Sequence, residues 1–135
     1  MTTWRFALVL GLVAAAPGGA HAQEQGDPCA SASANVAIGA CYARELTNTN
    51  NAIETRLRER LAEIDRNTNV PAAEREKWKR AVRAAQQAFV TYRQNECATQ
   101  TFEMWGGSGA AIAEAKCAYD MGQDRLRQIN PNPAD

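Results

Sequence analysis

Histidine is almost missing from this sequence: 135 residues contain one, His21. Nor is there an excess of charge of either sign, with 15 Lys+Arg against 15 Asp+Glu. A balanced chain has no electrostatic reason to bind nucleic acid or an anionic membrane. No run of about 20 apolar residues is present to span a bilayer. No segment alternates apolar and polar residues with period two, so strands are not expected. The phosphate-binding loop, the Gly-x-Gly-x-x-Gly turn and the zinc-protease helix are missing as well. Disorder is excluded from the other side, because 45% of the residues are apolar. The length allows one small domain.

The first segment reads as an address. Arg5 precedes an apolar run of eleven, Phe6 to Ala16, and Pro17-Gly18-Gly19 interrupts it. Ala20-His21-Ala22 then offers small residues at the −3 and −1 positions of a cleavage site. Residues 1–22 are therefore expected to be a secretory signal peptide, cut after Ala22. Gly26-Asp27-Pro28 before Cys29 is no lipidation box, so a periplasmic or secreted protein without a membrane anchor is expected. Cleavage removes His21. The mature chain then has no imidazole for Ser-His-Asp or Cys-His catalysis, or for a His-bearing metal site.

Four cysteines remain: Cys29, Cys41, Cys97 and Cys117, with 11, 55 and 19 residues between successive ones. Zinc sites use close pairs, with about two to four residues between ligands. An exported domain of this size uses four cysteines as two disulfides. No metal and no other cofactor is expected.

Three amphipathic segments follow an irregular lead-in over 23–34. In the first, from about Val36 to Asn67, Tyr42, Leu46, Ile53, Leu57, Leu61 and Ile64 share one face. Glu54, Arg56, Arg58, Glu59, Arg60 and Glu63 fall between them as a solvated face. Asn67-Thr68-Asn69-Val70-Pro71 is a break, with Pro71 near N1 of the next helix. The second, to about Glu103, carries Trp78, Val82, Ala85, Phe89 and Tyr92 at steps of 4, 3, 4 and 3, read as a core stripe. Trp105-Gly106-Gly107-Ser108-Gly109 is the second break, with Ser108 a candidate N-cap. The third holds Ile112, Ala115, Tyr119, Gly122, Leu126 and Ile129, and Asn130-Pro131 ends it. The expected fold is all-α: a disulfide-stapled antiparallel three-helix bundle over 35–130, with a tail at 131–135.

Register constrains the disulfides. Cys97 lies ten residues before Gly107 and Cys117 ten after it, so an antiparallel pair turning there sets them at one height. This suggests Cys97–Cys117 and leaves Cys29–Cys41. Cys41 also reaches that height when counted from the turn near Thr68, so Cys41–Cys97 with Cys29–Cys117 stays open.

The most distinctive stretch runs Ala85-Gln86, Phe89, Tyr92-Arg93 and Cys97, then Gly106-Gly107-Ser108, then Cys117, Arg125 and Ile129. It resembles the LprI-like lysozyme-inhibitor family of small exported helical domains. That pattern reads Ala-Gln-x-x-Trp-x-x-Tyr-Arg-x-x-x-Cys, a Gly-Gly-Ser turn, then Cys with Arg eight on and an aliphatic four later. Phe89 stands where the family usually has Trp. Cys29 and Cys41 match its early pair, whereas its Leu-Asn-x-x-Tyr motif is poorly kept, with Asn50 and Ile53 nearest. The resemblance covers about residues 29–130.

It implies a binding protein rather than an enzyme, with a protein partner that would be a lysozyme-type glycosidase. A plug for a two-carboxylate cleft would present a small protruding element with a hydroxyl, amide or cation. Trp105, Gly107 and Ser108 are the candidates, an aromatic anchor on a flexible turn; the competing reading is a plain interhelix turn. The mature net charge of −1 gives weak steering towards a basic enzyme. Arg93 and Arg125 are read as structural, Arg93 pairing with Glu96 and Arg125 with an acidic group on another helix. Two other readings stand beside this one: an envelope interaction or stress module with no glycosidase target, and a two-carboxylate hydrolase, which would show convergent carboxylates in a concave pocket.

Overall fold

A computed structural model describes residues 26–130. The expected signal peptide and the 131–135 tail lie outside them. Helix α1 spans Asn35–Arg66, α2 Ala72–Glu103 and α3 Ala110–Ile129, and the described residues contain no strand. At 1.5 Å per residue the two long helices each run about 48 Å and α3 about 30 Å. The fold is the all-α bundle that the apolar spacing predicts.

The first connection is tight. Asn69 N–H donates to Asn67 Oδ1 at 3.1 Å, and Val70 N–H to Asn67 O at 3.3 Å. Arg75 on α2 donates back to the Asn67 and Val70 carbonyls. Pro71 occupies the N-cap, with ψ of 146°, rather than N1. Its extended backbone starts a helix without needing the amide it lacks.

In space, α3 is the middle helix. It lies against both α1 and α2, while the two long helices meet each other least. Tyr42, Ile53 and Ile64 of α1 and Ile129 of α3 are buried, with Leu46, Leu57, Leu61, Ile112, Ala115, Tyr119 and Leu126 half-buried around them. Gly122 sets the α1–α3 approach: a Cβ there would stand 2.9 Å from Thr49 Cγ2 and 3.3 Å from Arg93 Nη1.

The α2 stripe departs from expectation. Cys97 is its one buried side chain; Val82 and Phe89 are half-buried, and Trp78, Ala85 and Tyr92 are exposed. With α3 wedged between the long helices, part of this face turns past both neighbours and lines an open groove instead of a core.

The disulfides are Cys29–Cys41 and Cys97–Cys117, so the alternative pairing falls. Cys97–Cys117 staples α2 to α3. Cys29–Cys41 folds the lead-in onto α1, where Cys29, Cys41 and Tyr42 form a small buried cluster with Ile38, Ile112, Ala115 and Tyr119 around it.

Candidate functional site

The expected binding residues lie on the α2–α3 turn. Met104 follows the last residue of α2, and Gly106 turns the chain with φ of +75°, which favours glycine. Gly107 N–H donates to Met104 O at 2.8 Å and closes the turn. Trp105 projects outward, 80% exposed. Phe102, 70% exposed, stacks on it with rings nearly parallel and centroids 6.2 Å apart. Met104 and Val36 add exposed apolar surface at the same end of the bundle.

Ser108 is not the N-cap of α3. Gly109 holds that position, with no side-chain cap. The Ser108 hydroxyl instead accepts a hydrogen bond from Asn35 Nδ2 at 3.3 Å. The turn is thereby tied to the first residue of α1, and Ser108 stays exposed three residues after Trp105.

Charge is divided along the bundle. The turn end (residues 26–45 and 92–120) has three basic residues, Arg44, Arg93 and Lys116. Against them stand six acidic ones: Asp27, Glu45, Glu96, Glu103, Glu114 and Asp120. That half is formally −3. The remaining described residues, 46–91 and 121–130, hold eleven basic and seven acidic side chains, formally +4. The small net charge of the chain conceals an acidic end and a basic end. The exposed aromatic pair sits on the acidic one.

Just behind the turn, Asp27 ties the lead-in to α1. Its Oδ2 accepts from the Tyr42 hydroxyl at 2.7 Å and its Oδ1 from Cys29 N–H at 2.8 Å. These bonds hold the Asp27 carboxyl below the usual range. Burial, with the Asp27 hydrogen bond second, pushes the Tyr42 phenol up to about 12.

Arg93 and Arg125 do not pair with carboxylates. Arg93 Nη1 donates to Asn50 Oδ1 at 2.9 Å, and Arg125 Nε to Gln86 Oε1 at 3.0 Å. Both guanidinium groups face the Phe89 ring, 5.2 and 5.5 Å from its centroid. Desolvation pushes both below the ordinary arginine value, with Arg60 adding repulsion at Arg125. Amide oxygens and an aromatic face satisfy a partly buried guanidinium without burying a second charge. This cross-helix layer continues in Gln123 Nε2, which donates to the Thr49 hydroxyl at 2.7 Å.

A second exposed feature is the groove of about 720 Å³ between α2 and α3, lined by Phe89, Tyr92, Met121 and Arg125 among others. Glu96 and Asp124 also line it. Both are exposed, and Asp124 accepts a hydrogen bond from Arg127. A glycosidase acid needs a carboxyl withdrawn from water, and neither of these two is.

A family model for the lysozyme inhibitor LprI matches residues 27–129, all of which lie within the described residues. The chain belongs to the LprI lysozyme-inhibitor family. No curated protein and no solved structure matches it. Within this LprI domain the matched stretch includes both disulfides, the Phe89 layer and the turn. No helix among the described residues is long and apolar enough to cross a membrane.

Proposed function

We propose that this LprI domain is an exported binding protein that inhibits a lysozyme-type glycosidase by seating its α2–α3 turn in the enzyme's cleft. The observation that carries the reading is the stacked Phe102–Trp105 pair, exposed at the turn that also carries Ser108, on the acidic end of the bundle. Two large rings held in water cost stability and are repaid when a partner covers them. The acidic end would steer the turn towards a basic enzyme, within the roughly 8 Å over which charges act at physiological salt. Export through residues 1–22 would deliver the chain to an oxidising compartment, where its two disulfides persist. In this reading the protein contributes occlusion and no chemistry of its own.

The test is turnover of a peptidoglycan suspension by a basic c-type lysozyme, with increasing amounts of the oxidised chain from residue 23 onward. Dose-dependent inhibition is expected. Trp105→Ala and Ser108→Arg should each weaken it at least tenfold while circular dichroism stays unchanged. Inhibition untouched by both variants would remove the turn from the reading. No inhibition at large molar excess, against several lysozyme types, would remove the glycosidase.

A further inference from the structure

The open side of α2 carries a pattern that neither the core nor the turn uses. Trp78, Ala81, Ala85, Ala88 and Tyr92 follow at steps of 3, 4, 3 and 4, and all five are exposed. This is the heptad spacing of a helix that packs against another helix along its length. Small residues occupy its centre and aromatic residues its two ends. The centre opens into the groove, where Phe89 of α2 and Met121 of α3 supply a half-buried apolar floor.

We propose that this seam is the interface for a second copy of the same chain, docked with its α2 antiparallel. Two features select that occupant. First, the seam is self-complementary in size: laid antiparallel about the Ala85–Ala88 segment, Tyr92 of each copy meets the small residues of the other. The three alanines permit the close approach such packing needs. Second, the formally −3 end of each copy then lies beside the formally +4 end of its neighbour. Around the Trp78 end, Arg75, Lys77, Lys79 and Arg80 stand against Glu74 and Glu76, formally +2, whereas past Tyr92 Glu96 and Glu103 stand against Arg93, formally −1. A parallel arrangement would set like ends together, which the charge division disfavours. A two-fold axis crossing α2 between Ala85 and Ala88 satisfies both conditions as one isologous contact.

The seam runs about 21 Å from Trp78 to Tyr92. With the groove walls, such a strip buries on the order of 1,000 Å² over both partners, the lower end of specific interfaces. The dimer is therefore weak and concentration-dependent. Antiparallel docking leaves the two Phe102–Trp105 turns at opposite ends of the assembly, so the contact and the proposed inhibitory surface are separate.

Sedimentation velocity on the oxidised chain, from about 1 to 500 μM, should show a monomer–dimer equilibrium with Kd in the micromolar range. Ala88→Glu and, independently, Tyr92→Glu should each raise Kd at least tenfold without changing helicity, while Trp105→Ala leaves Kd unchanged. Ala88→Cys, near the axis, should cross-link with a short bis-maleimide. Ala81→Cys, eleven residues or about 16 Å from its counterpart along the helix, should not. A monomer at every concentration overturns the proposal. So does a dimer insensitive to both glutamates, a dimer lost with Trp105→Ala, or equal cross-linking at both positions.

Discussion

Gly122 on α3 and Thr49 on α1 touch so closely that no side chain fits between them: an added Cβ would lie 2.9 Å from Thr49 Cγ2. Thr49 cannot easily yield, because its hydroxyl donates to Glu45 O at 2.8 Å and accepts from Gln123. Alanine normally stabilises a helix by up to about 1 kcal/mol relative to glycine. Here the overlap outweighs that gain. Gly122→Ala is expected to lower unfolding stability by about 1–3 kcal/mol in urea titration, and Gly122→Ala with Thr49→Ser to recover part of it.

Arg93 and Arg125 meet Phe89 from two helices, so the ring and the guanidinium groups form one unit. Replacing Phe89 with leucine keeps apolar volume and removes the aromatic face. The expected loss is about 1–2 kcal/mol. A double-mutant cycle of Phe89→Leu with Arg93→Met should show coupling. Strict additivity would mean that the ring and the guanidinium do not interact.

The Asp27–Tyr42 contact predicts a stability loss at each end of the pH scale. Tyr42 titrates near 12 in the folded chain, against an ordinary value of 10. Below pH 10 both states are protonated and the contact contributes fully. Between about pH 10 and 12 the unfolded chain ionises first, and stability falls by roughly 1–3 kcal/mol. Asp27 moves the other way: its lowered value contributes stability above the ordinary carboxylate range, lost as pH falls through the folded value. Melting temperature against pH, followed in parallel with tyrosinate absorbance, reads both. Tyr42→Phe should flatten the alkaline limb.

The two staples are expected to differ in what their removal does. Cys97 and Cys117 close the longer loop, with a separation of 20 residues against 12. Serine at both should cost about 3 kcal/mol in the chain-entropy model. Serine at Cys29 and Cys41 should cost slightly less but release Asp27 from Tyr42, bringing the phenol back towards its ordinary value. Tyrosinate absorbance of the two double variants separates these effects.

Much of the helical frame was legible in the sequence. Apolar spacing and the breaks at Asn67–Pro71 and Trp105–Gly109 place all three helices to within a residue or two, because propensity and periodicity agree there. Counting residues from Gly107 also favoured Cys97–Cys117. The stripe of α2 misled, since a period of 3.6 says that a face is apolar and not that a neighbour covers it. Arg93 and Arg125 misled as well: opposite charge suggests carboxylate partners, whereas amide oxygens and Phe89 were within reach. At the turn, Trp105 and Ser108 were visible as residue types. Nothing in the spacing marks Phe102, which lies in the last turn of α2, three residues before the Trp105 it stacks on. The charge division was hidden because net charge erases position along a fold.

The position of α3 bears on how this chain comes into being. The last helix in sequence is the central one in space, and Ile129, among the final residues described, is buried. Until that helix has been made, α1 and α2 have little to hold on to beyond their shared turn. A nascent chain lacking its C-terminal 26 residues, everything from Ala110 on, would thus be expected to stay uncollapsed. Such a late commitment makes loss of α3 far more damaging than truncation near residue 26.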